Sequence, residues 1–259
     1  MERNVVVDEI GAFSGKVETG FPQKMRPLRD SSQLTILTIA VVTAVMVANM
    51  SALAQQPAPQ QPAPARKMSW NEVRRGLFAL SKVETAPIVM LGDSHTEGAP
   101  WRELTGCPHL VNRGIGGDTT AKLLARLDDI LKLKPRAVFL MIGVNDISLA
   151  VPKDTTVGNF KAILDRLAGT HVVAAYVLPV TASYGKRRIN DAISDLNGTI
   201  GGFVTGRPDT TVLDLRPLLR GSDGYLRGEY SYDGLHLSPK AYGVWRDAIA
   251  PDIAKYCVP

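Results

Sequence analysis

The chain has 259 residues, 45% of them hydrophobic and 21% charged, with a formal net charge of +5. Once its biased N-terminal segments are set aside, that leaves room for one domain with a well-buried sheet and too little for two ordinary ones. Residues 1–54 carry five basic and five acidic residues, so the excess charge is spread thinly over the rest, and no basic stripe interleaves with aromatics to suggest nucleic-acid binding.

From Leu34 to Ala54 there is no charged residue, and the densest apolar stretch runs from Ile36 to Val47. Arg26 and Arg29 precede it and Ala52-Leu53-Ala54 follows it. A basic region, an apolar region and an A-x-A site in that order predict a secretory signal peptide cleaved after Ala54, with Met25 as an alternative start. The rival reading is an uncleaved membrane anchor, since the charge-free stretch is just long enough to span a bilayer. Either reading puts the remainder outside the cytoplasm, periplasmic or secreted. Residues 55–66 form a Pro/Gln-rich linker of low complexity, read as an extended spacer. The folded domain is expected over residues 67–259. Its lead-in helix, within 67–87, carries Trp70, Val73, Leu77 and Leu80 at helical spacing, which predicts a core-facing stripe.

Five β-rich runs follow: Pro87–Leu91, Leu110–Asn112, Ala137–Ile142, Val172–Val177 and Thr211–Asp214. Continuous apolar runs mark strands covered on both faces, as in a parallel sheet. Helical patterns lie between them: Thr120–Leu133, then one through Phe160, Ile163, Leu164 and Leu167, then one through Ile189, Ile193, Leu196 and Ile200. A last helix begins after Ser238-Pro239, read as N-cap and N1. Alternating strand and helix predicts a doubly wound α/β sandwich with its reactive residues at the carboxyl ends of the strands.

Four sequence groups fall at those ends. Ser94, in Gly92-Asp93-Ser94, follows the first strand at the start of a helix, where free N–H groups and a positive dipole end suit a nucleophilic hydroxyl; an isolated serine there would ordinarily be a helix cap. Gly114, Gly116 and Gly117 follow the second strand, and the Gly117 N–H can donate to an oxyanion; alone this is a glycine-rich turn. Asn145, in Gly143-x-Asn145-Asp146, can present its amide as a further oxyanion donor; alone it is an Asx turn. Asp233 stands three residues before His236, a spacing that lets the carboxylate reach Nδ1 and leaves Nε2 to accept a serine proton. Each group is ordinary by itself; their joint occurrence in this order is not.

Together these blocks resemble the SGNH (GDSL) hydrolase superfamily over about residues 88–256. The resemblance implies a flavodoxin-like three-layer α/β/α sandwich with a five-stranded parallel sheet, and ester hydrolysis through an acyl-enzyme. It implies a triad of Ser94, Asp233 and His236 and an oxyanion hole from the Ser94 and Gly117 N–H groups and the Asn145 amide. Leu178-Pro179 and Asn190 fit secondary features of the superfamily. His95 departs from it, standing where many members have an aliphatic residue, and is expected to alter the pocket rim. The stretch from Asn112 to Leu131 resembles bacterial lysophospholipase-like and acetylesterase-like members.

The expected reaction is hydrolysis of a short, acetyl-type ester on a small molecule or glycan, with no metal or cofactor, since no ligand cluster has the needed spacing. A lysophospholipase or thioesterase and an acyltransferase use the same triad; a non-catalytic glycan-binding module is the reading from a different class. Cys107 and Cys257 exclude a CxxC motif and are read either as one disulfide, in an oxidising compartment, or as two small core residues.

Overall fold

A computed structural model describes residues 31–54, 66–184 and 187–258. The linker, apart from Arg66, lies outside the described residues. The chain divides into two units, residues 1–65 and 66–259. In the first, Ser31–Ala54 is a helix, α1. Among the described residues no helix is long and apolar enough to cross a membrane.

The second unit runs α2 (Trp70–Ala79), β1 (Ile88–Gly92), α3 (Ser94–Glu97), α4 (Trp101–Thr105), β2 (Leu110–Gly114), α5 (Thr120–Leu124), α6 (Leu127–Leu131), β3 (Ala137–Met141), α7 (Val144–Ser148), α8 (Lys153–Arg166), β4 (His171–Ala175), α9 (Arg187–Val204), β5 (Thr210–Leu213), α10 (Arg216–Leu219) and α11 (Pro239–Tyr256). All five strands pair in parallel in the order β2-β1-β3-β4-β5. The order reverses beside β1, so β1 and β3 frame the crevice where such sheets place their sites.

Successive strand side chains point to opposite faces, and β1 divides accordingly. Val89 and Leu91 enter a core built with Leu123, Phe160, Ile163 and Ile193. Ile88 and Met90 enter a second core with Trp101, Trp245 and Ile249. Helices therefore cover both faces, which is why β1 and β3 read as apolar throughout. Burying each such side chain contributes roughly 1.5–3 kcal/mol.

Three helices depart from expectation. The apolar stripe of α2 does not face the core: Trp70, Leu77 and Leu80 are exposed. The helix turns its polar side inward instead, because that side finds partners: Asn71 donates to Asp118 at 2.5 Å, and Arg74 pairs with Glu97 at 2.8 Å. The Arg74 and Arg113 guanidiniums both stand over the Phe78 ring, 4.8 and 4.6 Å from its centroid. The expected helix over Thr120–Leu133 is two short ones, broken where the buried Arg126 side chain turns to Asp118. Ser238 occupies the N-cap of α11 but does not cap it; its hydroxyl donates to the Glu229 carbonyl at 2.7 Å.

Cys107 and Cys257 are bonded, with Cα atoms 5.8 Å apart. The bond ties the end of α11 to the segment between α4 and β2.

Candidate active site

Gly92 ends β1 with almost no free space: a Cβ there would stand 2.2 Å from the Met141 carbonyl oxygen and 2.3 Å from Thr96 Oγ1. Only glycine lets the chain turn into α3 so close to β3. Asp93 then caps α3, its side chain accepting the His95 N–H at 3.0 Å. The cap is Asp93, not Ser94, and the helix is a single turn. Ser94 is thereby free of the capping role that an isolated serine there would usually serve.

The Ser94 hydroxyl lies 3.0 Å from His236 Nε2. His236 Nδ1 lies 2.6 Å from Asp233 Oδ2. The second carboxylate oxygen accepts the backbone N–H groups of Leu235 at 2.9 Å and His236 at 2.7 Å. A carboxylate can only accept, so Nδ1 carries the proton and Nε2 presents its lone pair to the hydroxyl. Partial burial acts to raise the Asp233 pKa. The bonds from the imidazole and the two amides outweigh it and hold the carboxyl down at about 2. The group is a fixed negative charge at neutral pH, suited to stabilising an imidazolium as it forms.

Gly117 has φ +75°, a left-handed conformation that glycine adopts freely. A Cβ on its neighbour Gly116 would stand 3.7 Å from Ser94 Cβ, so the glycine turn lies against the serine. Among the described residues the N–H groups of Ser94 and Gly117 donate to no other group. Asn145 Nδ2 donates one hydrogen to the Asp118 carbonyl at 2.9 Å, which fixes the amide beside the turn and leaves its second hydrogen free. The structure thus joins Ser94, Asp233 and His236 directly, and links Asn145 to the Gly117 turn. Among the described residues no group of three or more His, Cys, Asp or Glu is placed to hold a metal.

Residues 90–244 match the GDSL-like lipase/acylhydrolase family. The chain belongs to that family. Platelet-activating factor acetylhydrolase IB subunit alpha1 of Rattus norvegicus is 28% identical over 205 residues, covering 74% of this chain and 87% of the relative. A Streptococcus pneumonia structure described as a platelet activating factor has a TM-score of 0.63 at 28% identity and covers 84% of this chain and 99% of its own. A GDSL-like lipase from Bacteroides thetaiotaomicron shares the fold, with a TM-score of 0.61 at 24% identity, covering 71% of this chain and 97% of its own. As a member of the GDSL-like lipase/acylhydrolase family, the protein is an ester-hydrolysing enzyme with a five-stranded α/β/α fold.

Within that family fold, Asn190 and three residues that the sequence did not single out, Arg126, Glu97 and Ser231, hold the site together. Arg126, 2% exposed, donates to Asp118 at 2.7 Å and to the Gly92 carbonyl at 3.2 Å, so it ties the glycine turn to the exit of β1. Glu97 accepts the Gly116 N–H at 2.5 Å. Ser231 donates to the His236 carbonyl at 2.7 Å and accepts the Gly234 N–H at 2.7 Å, closing the loop that carries Asp233 and His236. Asn190 grips both the N–H and the carbonyl of Val180, at 2.9 and 3.1 Å, behind Leu178-Pro179. Their partners are far off in sequence or are backbone groups, so no spacing announces them.

His95 is not on the pocket rim. It is 2% exposed and its Nε2 donates to the Leu235 carbonyl at 2.9 Å. The expectation failed because the residue after the serine points into the one-turn helix's buried side, toward Asp93.

Proposed function

We propose that the enzyme hydrolyses short acyl esters, acetyl esters first, through an acyl-enzyme on Ser94. The observation that carries the reading is the unbroken line from Asp233 Oδ2 through His236 to the Ser94 hydroxyl, at 2.6 and 3.0 Å. His236 Nε2 takes the hydroxyl proton as Ser94 Oγ bonds to the ester carbonyl carbon. The negative charge that develops on the carbonyl oxygen is held by the Ser94 and Gly117 N–H groups and the free hydrogen of Asn145. The bond to the alcohol oxygen then breaks, and His236 returns the proton to that oxygen. Water repeats the cycle: His236 takes its proton, the oxygen attacks the acyl carbon, the acid leaves and Ser94 regains its hydrogen.

The acetyl preference is supported by the acetylhydrolase relatives. Our first choice for the alcohol is a carbohydrate; the name of those relatives favours platelet-activating factor as the second reading. The domain works outside the cytoplasm, with residues 1–54 as N-terminal extension and secretory signal. A disulfide between Cys107 and Cys257 supports export, since such bonds persist in oxidising compartments.

Ser94→Ala should abolish both p-nitrophenyl acetate hydrolysis and labelling by a fluorophosphonate. Wild-type rates should fall from p-nitrophenyl acetate through butyrate to octanoate. Turnover by Ser94→Ala at the wild-type rate would refute the nucleophile; a maximum at octanoate would refute the acetyl preference.

A further inference from the structure

The protein has three tryptophans. Trp101 and Trp245 are each 1% exposed and belong to the core, whereas Trp70 is 55% exposed although it is held in place. Its Nε1 donates to both carboxylate oxygens of Glu97, at 3.1 and 3.2 Å. Glu97 is itself fixed by Arg74 and by the Gly116 N–H. A Cβ on Gly116 would lie 3.7 Å from Trp70 Cδ1 and 3.7 Å from Ser94 Cβ, so a single backbone unit separates the indole edge from the serine. An exposed tryptophan on a rigid mount beside a reactive hydroxyl needs an explanation that packing does not supply.

A second ring borders the imidazole that serves the same hydroxyl. Tyr232 is 71% exposed, and its ring stacks on that of His236 with centroids 5.8 Å apart and planes at 15°. This placement carries chemical information. The leaving alcohol oxygen must come within hydrogen-bond reach of His236 Nε2 to receive its proton. The alcohol part of the ester therefore emerges beside the imidazole, next to Tyr232. The His236 side chain is 32% exposed, so a bulky alcohol can approach it.

We propose that Trp70 and Tyr232 are specificity residues whose exposed ring faces receive a sugar ring forming the alcohol part of the substrate. A pyranose offers flat C–H faces for such contact and an equatorial rim of oxygen substituents, free or acylated, that stays in water. This inference rests on the esterase reading above and names its substrate class. The Trp70 platform explains why α2 shows an apolar edge to solvent while its polar side grips Glu97 and Asp118.

The test compares β-D-glucose pentaacetate with ethyl acetate, an ester of the same acid without a ring. Trp70→Ala and Tyr232→Ala should each lower the ratio of kcat/KM for the sugar ester over kcat/KM for ethyl acetate by roughly three- to tenfold, mainly through KM, as expected for one lost ring contact. Trp70→Phe and Tyr232→Phe should restore the ratio to within about twofold of wild type, since a stacking face remains. Ratios unchanged in both alanine variants would overturn the proposal, as would a larger loss on p-nitrophenyl octanoate than on the sugar ester, which would assign the rings to an acyl chain. If wild type cleaves ethyl acetate but not the pentaacetate, the sugar proposal fails and the esterase stands. If Ser94 takes no fluorophosphonate, the reading of the site itself fails.

Discussion

The buried His95 imidazole donates to the carbonyl of Leu235 at 2.9 Å, and Leu235 stands between Asp233 and His236. The residue after the serine therefore holds the loop that carries the other two members of the site. One bond links segments 140 positions apart and sets how Nε2 of His236 meets the Ser94 hydroxyl.

Replacing His95 by Phe should leave the Leu235 carbonyl without its donor, destabilise the fold by about 1–3 kcal/mol, and lower kcat more than it raises KM. His95→Gln, which keeps an N–H donor, should recover part of kcat. Steady-state kinetics of the two variants check this; equal kcat in His95→Phe and wild type would remove the positioning role.

His95 also makes stability depend on pH. Burial acts to lower its pKa, but the Asp93 carboxylate, the Leu235 carbonyl and the charge of Asp233 outweigh it and hold the pKa above its ordinary value. A raised imidazole pKa means stability fully present below the unfolded value of about 6.5 and lost as pH rises through the folded value. The Tm advantage of wild type over His95→Gln should be larger at pH 5.5 than at pH 9 at about equal ionic strength. A constant difference would contradict it.

Asp233 behaves with the opposite sign. Its carboxyl is held at about 2, so its stabilisation is present above the ordinary value and lost as pH falls through about 2. The stability difference between wild type and Asp233→Asn should shrink between about pH 4 and pH 2. At neutral pH the same variant should lose on the order of 10²–10⁴ in kcat, because the imidazole loses both its tautomer and its counter-charge.

Asn145→Ala should lower kcat by about 10²–10³ with little change in KM, as expected for a donor that meets charge only in the transition state. Loss confined to KM would mean that the amide only positions the Asp118 turn.

Cys107→Ser with Cys257→Ser opens a loop of 150 residues and should cost about 2–5 kcal/mol. In a domain of this size that is a fall in Tm of roughly 5–15 °C, measurable by thermal denaturation with and without reductant. The site lies away from the bond, so kcat at 25 °C should hold.

Much of this protein is written in short-range chemistry. The apolar runs at Ile88, Ala137 and Val172 specify buried parallel strands because alternate side chains enter opposite cores. Gly92, Gly117 and the Asp233–His236 spacing specify their own local geometry, and the family motifs follow from them. Other features depend on partners that no window of sequence contains. The periodicity of Trp70, Val73, Leu77 and Leu80 predicted a stripe facing inward; Trp70, Leu77 and Leu80 are exposed and Val73 is half-buried, because Glu97 and Asp118 offer the polar side of α2 charged partners. Arg126 and Ser231 read as unremarkable residues and His95 read as a rim residue, since what each does is defined by a carbonyl or carboxylate brought near only by folding. Local propensity and hydrophobic period fixed the strands, the turns and the reactive groups; long-range pairing of polar groups decided which way α2 faces, where His95 points and how the loops meet at Ser94, because a hydrogen bond's value depends on the burial and position of a partner that the chain alone does not reveal.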